Sequence, residues 1–156
     1  MKQTIKPLVA ALAIVVSASA LAQQAQPKPE ALIKWRQSVY QVVAWNSARI
    51  KANVEGTYNK EEVIRAANST AAIASSGIGA LFAPGTEQGK GWHDTAVKPE
   101  LFTEGKKVGE LAANFAKEAN ELAKVAAGGD QATVKAQFAK LQGTCKSCHD
   151  DFKKKD

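Results

Sequence analysis

The chain predicts an all-α fold, an antiparallel four-helix bundle, and three observations lead there. Beyond a short leader, four segments place apolar residues three and four apart, the period of a helix with one buried face. None shows the every-second-residue alternation of a half-buried strand. Two of the three breaks between the segments are short, which sets neighbouring helices antiparallel; the third, Ala83 to Pro99, is long.

The leader stands apart from that domain. Lys2 and Lys6 give a basic start, and the apolar run Leu8 to Val16 is too short to span a bilayer. Ser19-Ala20-Leu21-Ala22 then offers the small residues a signal peptidase requires. Residues 1–22 are read as a cleaved secretory signal and 23–156 as one domain, with a mature start near Gln23 and no membrane attachment after cleavage. The leader holds two lysines and no acids, so of 21 basic residues 19 remain against 15 acidic ones, formally +4. So mild a balance is not a nucleic-acid footprint.

The first helix is expected over Pro29 to Val54, with Leu32, Trp35, Val39, Val42 or Val43, Asn46 and Ile50 on one face. Pro29 suits a first turn, where a missing N–H costs nothing. The second starts at Asn59, which pairs with Glu62 as a capping box. Its stripe runs through Val63, Ala67, Thr70, Ile73 or Ala74, Ile78 and Leu81, although Gly77 and Gly79 weaken the later turns by about 1 kcal/mol each. After the long loop, whose length suits a functional or mobile segment, the third helix is expected over Glu100 to Ala127. Val108, Leu111, Phe115, Ala119, Leu122 and Val125 form its apolar face. Gly128-Gly129 ends it, and Asp130 caps the fourth.

That fourth helix carries the chemistry. Its stripe is Val134, Phe138, Leu141, Cys145, Cys148 and Phe152, and it contains Cys145-Lys146-Ser147-Cys148-His149. C-x-x-C-H is the pattern of covalent haem attachment: two thiols add across the porphyrin vinyl groups and the next histidine binds the iron. On a helix, Cys148 and His149 lie about 60° and 40° either side of Cys145, so all three side chains are expected to point into the bundle. A zinc site would need four ligands, and only His93 remains once His149 is used. A thioredoxin-type pair would sit at a helix start after a strand. A structural disulfide is the plain alternative; the adjacent histidine and the export signal favour one haem c.

Methionine cannot close the iron's second axial position in the mature chain, because the single methionine is Met1. His93, in Gly91-Trp92-His93-Asp94, is read as an exposed loop residue; a six-coordinate bis-histidine carrier is the alternative. The favoured iron is five-coordinate, bound by His149, with one side open to diatomic gases. Bundle geometry alone does not place Tyr40 relative to the motif.

These features resemble cytochrome c′, the class II c-type cytochromes. The terminal C-x-x-C-H is joined by Lys34-Trp35-Arg36-Gln37-Ser38, Phe82-Ala83-Pro84-Gly85-Thr86-Glu87 and Thr95-Ala96-Val97-Lys98-Pro99-Glu100, in the family's order. The resemblance implies a high-spin haem with one axial histidine and a bulky residue over the other face, at the position of Tyr40. It places Arg36 and Gln37 against the haem propionates, and Thr86 and Glu87 near the haem edge. It also implies a homodimer packed through the first two helices. Lys153 departs from the arginine the family often has there, and lysine lacks the planar guanidinium fork.

Two functions follow as expectations in the periplasm. One is binding of small gases such as NO and CO; the other is one-electron transfer with a redox partner protein that the residues do not name. Enzymatic activity is not expected, because a peroxidase-like site would need a distal His-Arg pair.

Overall fold

The structure, a computed structural model, describes residues 27–155; the expected signal segment and the start at Gln23 lie outside them. Helix α1 spans Pro29–Glu55, α2 Lys60–Ala74, α3 Gly105–Gly128 and α4 Gln131–Phe152. Each packs on its neighbour in sequence, and α1 closes the bundle against α4.

The caps follow from the sequence with one difference. Asp130 Oδ1 accepts from Thr133 N at 2.8 Å, and Asn59 Oδ1 accepts from Glu62 N at 3.1 Å. The return half of the second capping box is replaced: Asn59 N donates to Asn53 Oδ1 at 2.7 Å. The Glu62 carboxylate instead accepts from Arg49 Nε and Asn53 Nδ2, both at 3.1 Å. Asn-x-x-Glu therefore clamps α2 to α1 as well as starting α2.

Helix α2 stops at Ala74, because Gly77 turns the backbone left-handed at φ 79°. Ile78 and Leu81 fall in a separate 3₁₀ turn, Ile78–Leu81. Likewise α3 begins at Gly105, not Glu100; the residues before it form the 3₁₀ turn Pro99–Phe102, with Leu101 buried.

The main core takes Ile50 and Val54 from α1, Val63, Ala66, Ala67 and Ala71 from α2, Ala119, Leu122 and Ala126 from α3, and Val134, Phe138 and Leu141 from α4. Five alanines in that set let the helices approach closely. On α4 this core ends at Leu141, one turn before Cys145.

The inward face of α1 is the expected one only in part. Val43, Asn46 and Ile50 are buried as expected, together with Ile33, Arg36, Asn53 and Val54. Trp35 and Val42 are 49% and 44% exposed, and Trp45 is 60% exposed. The helix carries two apolar stripes, and the buried one includes polar side chains that find partners inside. Leu32 and Val39 are half-buried; Trp35 falls outside because a count of hydrophobes passes over the buried Arg36 and Asn53.

The Asn53 bond first and the Arg49 bond second hold the Glu62 carboxyl below the ordinary glutamate range. A lowered folded value means the clamp stabilises fully above about pH 4.5 and loses its contribution as pH falls through the lower, folded-state value. Thermal denaturation as a function of pH is expected to show this acid loss, with a shallower acid slope in Glu62→Gln. An unchanged slope in that variant would show that the clamp contributes nothing.

Candidate functional site

Cys145, Cys148 and His149 occupy the last two turns of α4. Both thiols are free and half-buried, and His149 is exposed. The main aliphatic core ends at Leu141; Cys145 and Cys148 lie beyond it on the stripe, and Phe152, its last residue, is buried again.

Burial raises both thiol pKa values; Asp151 and Cys145 add to the shift at Cys148. The His149 ring is held below the ordinary histidine value, first by partial desolvation and then by Lys153, against an opposing effect of Asp150. The shift favours the neutral imidazole, the form that donates a lone pair to a metal. Two free thiols three residues apart on one helix, followed directly by a neutral imidazole, fit a covalently attached haem.

Tyr40 of α1 belongs to the same site. Its phenol is pushed up to about 12, by burial first and then by the charges of Cys148 and Cys145, against an opposing effect of Arg36. Tyr40 is 37% exposed, so its phenol is only partly withdrawn from water. Its ring packs edge-on against Phe82, with centroids 6.2 Å apart and planes at 66°. The Arg36 guanidinium covers that Phe82 ring at 4.6 Å.

Arg36 itself is only 3% exposed. Its terminal nitrogens donate to Leu81 O at 3.2 Å, Thr86 Oγ1 at 3.1 Å, Thr86 O at 3.1 Å and Thr95 Oγ1 at 2.8 Å. Those four bonds use all four terminal N–H groups. The resemblance gave Arg36 and Thr86 to the haem periphery, whereas the structure shows them tying α1 to the long loop. Thr86 is fully buried, and its hydroxyl also donates to Ala83 O at 2.8 Å. Glu87 closes its own turn by accepting from Gly85 N at 3.1 Å.

Gln37 performs a similar task one residue on. Its Oε1 accepts from Trp92 N at 2.7 Å, and its Nε2 donates to His93 O at 2.9 Å. His93 is exposed, with Nδ1 2.9 Å from Asp94 O and 3.3 Å from Gln37 Nε2. Its contacts are with α1 and its own loop. The segment expected to be functional or mobile is therefore fastened along its length.

The loop also finishes α4. The Lys98 ammonium donates to Asp150 O at 3.1 Å and Asp151 O at 2.9 Å, and Lys98 N to Phe152 O at 2.8 Å. Lys154 N donates back to Ala96 O at 2.7 Å. These bonds satisfy carbonyls that a helix end leaves open, and they put a cation at the negative end of the dipole. Lys107 on α3 adds an ion pair with Asp151 at 3.1 Å. Sequence reasoning missed the roles of Phe82, Thr95 and Lys98. A buried arginine needing four acceptors was the available signal for Thr95, but the burial of Arg36 was itself not foreseen.

Gly91 shows how close the loop lies to α1. A Cβ there would stand 2.5 Å from Gln37 Oε1 and 2.8 Å from Lys34 Cα and N. Gly91→Ala is expected to lift the 91–94 segment from α1 at a cost of about 1–3 kcal/mol. Thermal denaturation reads the loss, and limited proteolysis should find the loop newly open; wild-type stability and proteolysis would contradict the contact.

Comparison with known proteins agrees with the site. The family model described as Cytochrome C′ matches residues 31–153. The chain is 67% identical over 130 residues to cytochrome c′ of Rhodocyclus tenuis, covering 83% of this chain and 98% of that one. It is 45% identical over 144 residues to cytochrome c′ of Allochromatium vinosum, covering 92% of each. Among solved structures it is similar to a cytochrome c′ with ligand-controlled dimer dissociation, at 46% identity and a TM-score of 0.81, over 84% of this chain and 100% of that one. A nitric oxide complex of an Alcaligenes xylosoxidans cytochrome c′ variant superposes with a TM-score of 0.73 at 26% identity, over 83% of this chain and 98% of that one.

Proposed function

The chain belongs to the cytochrome c′ family, a standard instance of the four-helix bundle with a cofactor in its core, and from that premise we propose that it is an exported haem protein whose iron has one protein ligand and one side open to diatomic gases. Haem-based electron transfer and gas binding are the activities of this family, and covalently bound haem c is its cofactor. The observation that supports the finer reading is the Tyr40 ring of α1 set edge-on against Phe82, in a chain whose single methionine is Met1.

Cys145 and Cys148 would hold the porphyrin through thioether bonds, and His149 would bind the iron as a neutral imidazole. When bound, haem supplies a one-electron couple and, in its ferrous state, a coordination position for NO or CO. Tyr40 would cover that position as a bulky, partly exposed ring backed by Phe82, so that only a small ligand passes. At its high pKa the phenol stays protonated at neutral pH, and the cover carries no charge. His93, bonded to Gln37 on α1, is held by its loop and does not serve as second ligand in this reading. Gln37 and Glu87 line the loop beside the site, and Arg36 contributes by fixing Phe82.

The exposed residues Trp35, Val42 and Trp45 form one stripe on α1. The stripe supports a homodimer, since a second copy would cover apolar area that otherwise meets water. The dimer-forming relative changes its association with ligand, and the same linkage is proposed here because Tyr40 and the stripe share α1. The signal-like composition of residues 1–22 supports export of the protein to the periplasm. Among the described residues no helix is long and apolar enough to cross a membrane.

Replacing Tyr40 with alanine is expected to speed CO association to the ferrous protein by about tenfold or more, the equivalent of 1.4 kcal/mol off the barrier. Flash photolysis measures it. A wild-type rate in that variant would remove Tyr40 from the ligand's path.

A further inference from the structure

The long loop connects the two sides of the site through one short stretch. At its start, Thr95 Oγ1 accepts from Arg36 Nη2 at 2.8 Å, and Arg36 covers the Phe82 ring on which Tyr40 leans. At its end, Lys98 holds the last turn of α4 by three hydrogen bonds to Asp150, Asp151 and Phe152 carbonyls. Between them, Val97 forms a bridge with Lys153. Thr95 is buried, and Lys98 is half-buried with its backbone extended at φ −78° and ψ 144°. Four residues span about 14 Å at most, so there is little slack between the two anchors.

At the opposite end of the bundle α1 and α4 are joined directly. Gln131 on α4 donates to the carbonyls of Asn53, Val54 and Gly56 at 3.1–3.3 Å. Beside the thiols this strap takes over that task. Arg36 to Thr95 and Lys98 to α4 are hydrogen-bonded steps, and the route continues through packed rings to Tyr40.

We propose that Thr95 and Lys98 are positioning residues: the Thr95–Lys98 strap sets the spacing between the Tyr40–Phe82 wall on α1 and the Cys145–His149 turn on α4. It rests on the reading of Tyr40 as the cover over the iron's open side. Neither residue touches the ligand. Each acts by holding one wall, and loosening either anchor lets the walls separate and the cover stand further from the iron.

The test uses the haem-loaded full-length protein. Lys98→Met removes the ammonium donor and Thr95→Val the acceptor; Lys98→Arg and Thr95→Ser retain them. CO association, the ferric Soret band, amide hydrogen exchange at Lys98 and Lys154, and thermal midpoint are measured for each, with Tyr40→Ala alongside. Lys98→Met and Thr95→Val should each speed CO association by about threefold or more and shift the Soret band. Exchange at both amides should also quicken. Their combination should fall short of the product of the single effects, since either break releases the same strap. The arginine and serine variants should behave as wild type. If Lys98→Met takes up no haem, Lys98→Gln stands in its place under the same criteria.

Wild-type CO rates and Soret bands in the two broken variants, beside a fast Tyr40→Ala, would overturn the strap and leave the Tyr40 reading standing. A loss of thermal midpoint without those two changes would likewise reduce the strap to a structural tie and overturn the proposal. A wild-type rate in Tyr40→Ala would overturn the Tyr40 reading and the strap's purpose with it.

Discussion

The buried guanidinium of Arg36 is the constraint on which the site depends. Removing such an ion from water costs several kcal/mol, and each hydrogen bond to a charged group returns roughly 1.5–3 kcal/mol. The two sides of that balance are of similar size, so the buried position is tenable only with all its acceptors present. Leu81, Thr86 and Thr95 supply them from a single connection between α2 and α3. Helix α1 and the loop are therefore ordered together. Phe82 and Tyr40, which stack outward from the guanidinium, inherit their positions from that joint requirement.

The bundle divides along its length. One end is an ordinary core of alanines and branched aliphatics, closed at Leu141. Toward the other end the α4 stripe continues as Cys145 and Cys148, half-buried, and α1 reaches α4 through the loop. A single helical period thus serves packing over one half and cofactor attachment over the other. Hydrogen bonds and aromatic contacts replace aliphatic packing where the chain has to leave room. Lys98 and Lys107 complete this end by satisfying α4's final carbonyls and its Asp151 carboxylate.

Much of this was legible in the residues. Spacing by threes and fours located all four helices, Asn59 and Asp130 marked two starts, and C-x-x-C-H identified the cofactor chemistry. Three matters were not legible, each for a physical reason. The inward face of α1 was read only in part: Val43, Asn46 and Ile50 are buried as expected, but Arg36 and Asn53 are buried with hydrogen-bonding partners that a count of hydrophobes passes over. The α2 and α3 boundaries moved because Gly77 adopts a positive φ and Pro99 opens a 3₁₀ turn rather than a full helix. Where Tyr40 stands relative to the thiols depends on how α1 and α4 are aligned, which short connections alone do not determine. Arg36 could be placed near the site from its motif; that it serves the loop emerged only from its bonds.

The proposed function turns on His149 as the one protein ligand of an iron whose other side stays open. The absorption spectrum of the dithionite-reduced protein, recorded before and after saturation with CO, tests it most directly. A high-spin, five-coordinate ferrous spectrum that converts fully to the CO adduct is expected. A low-spin, six-coordinate ferrous spectrum unmoved by CO would contradict it and assign the second axial position to His93.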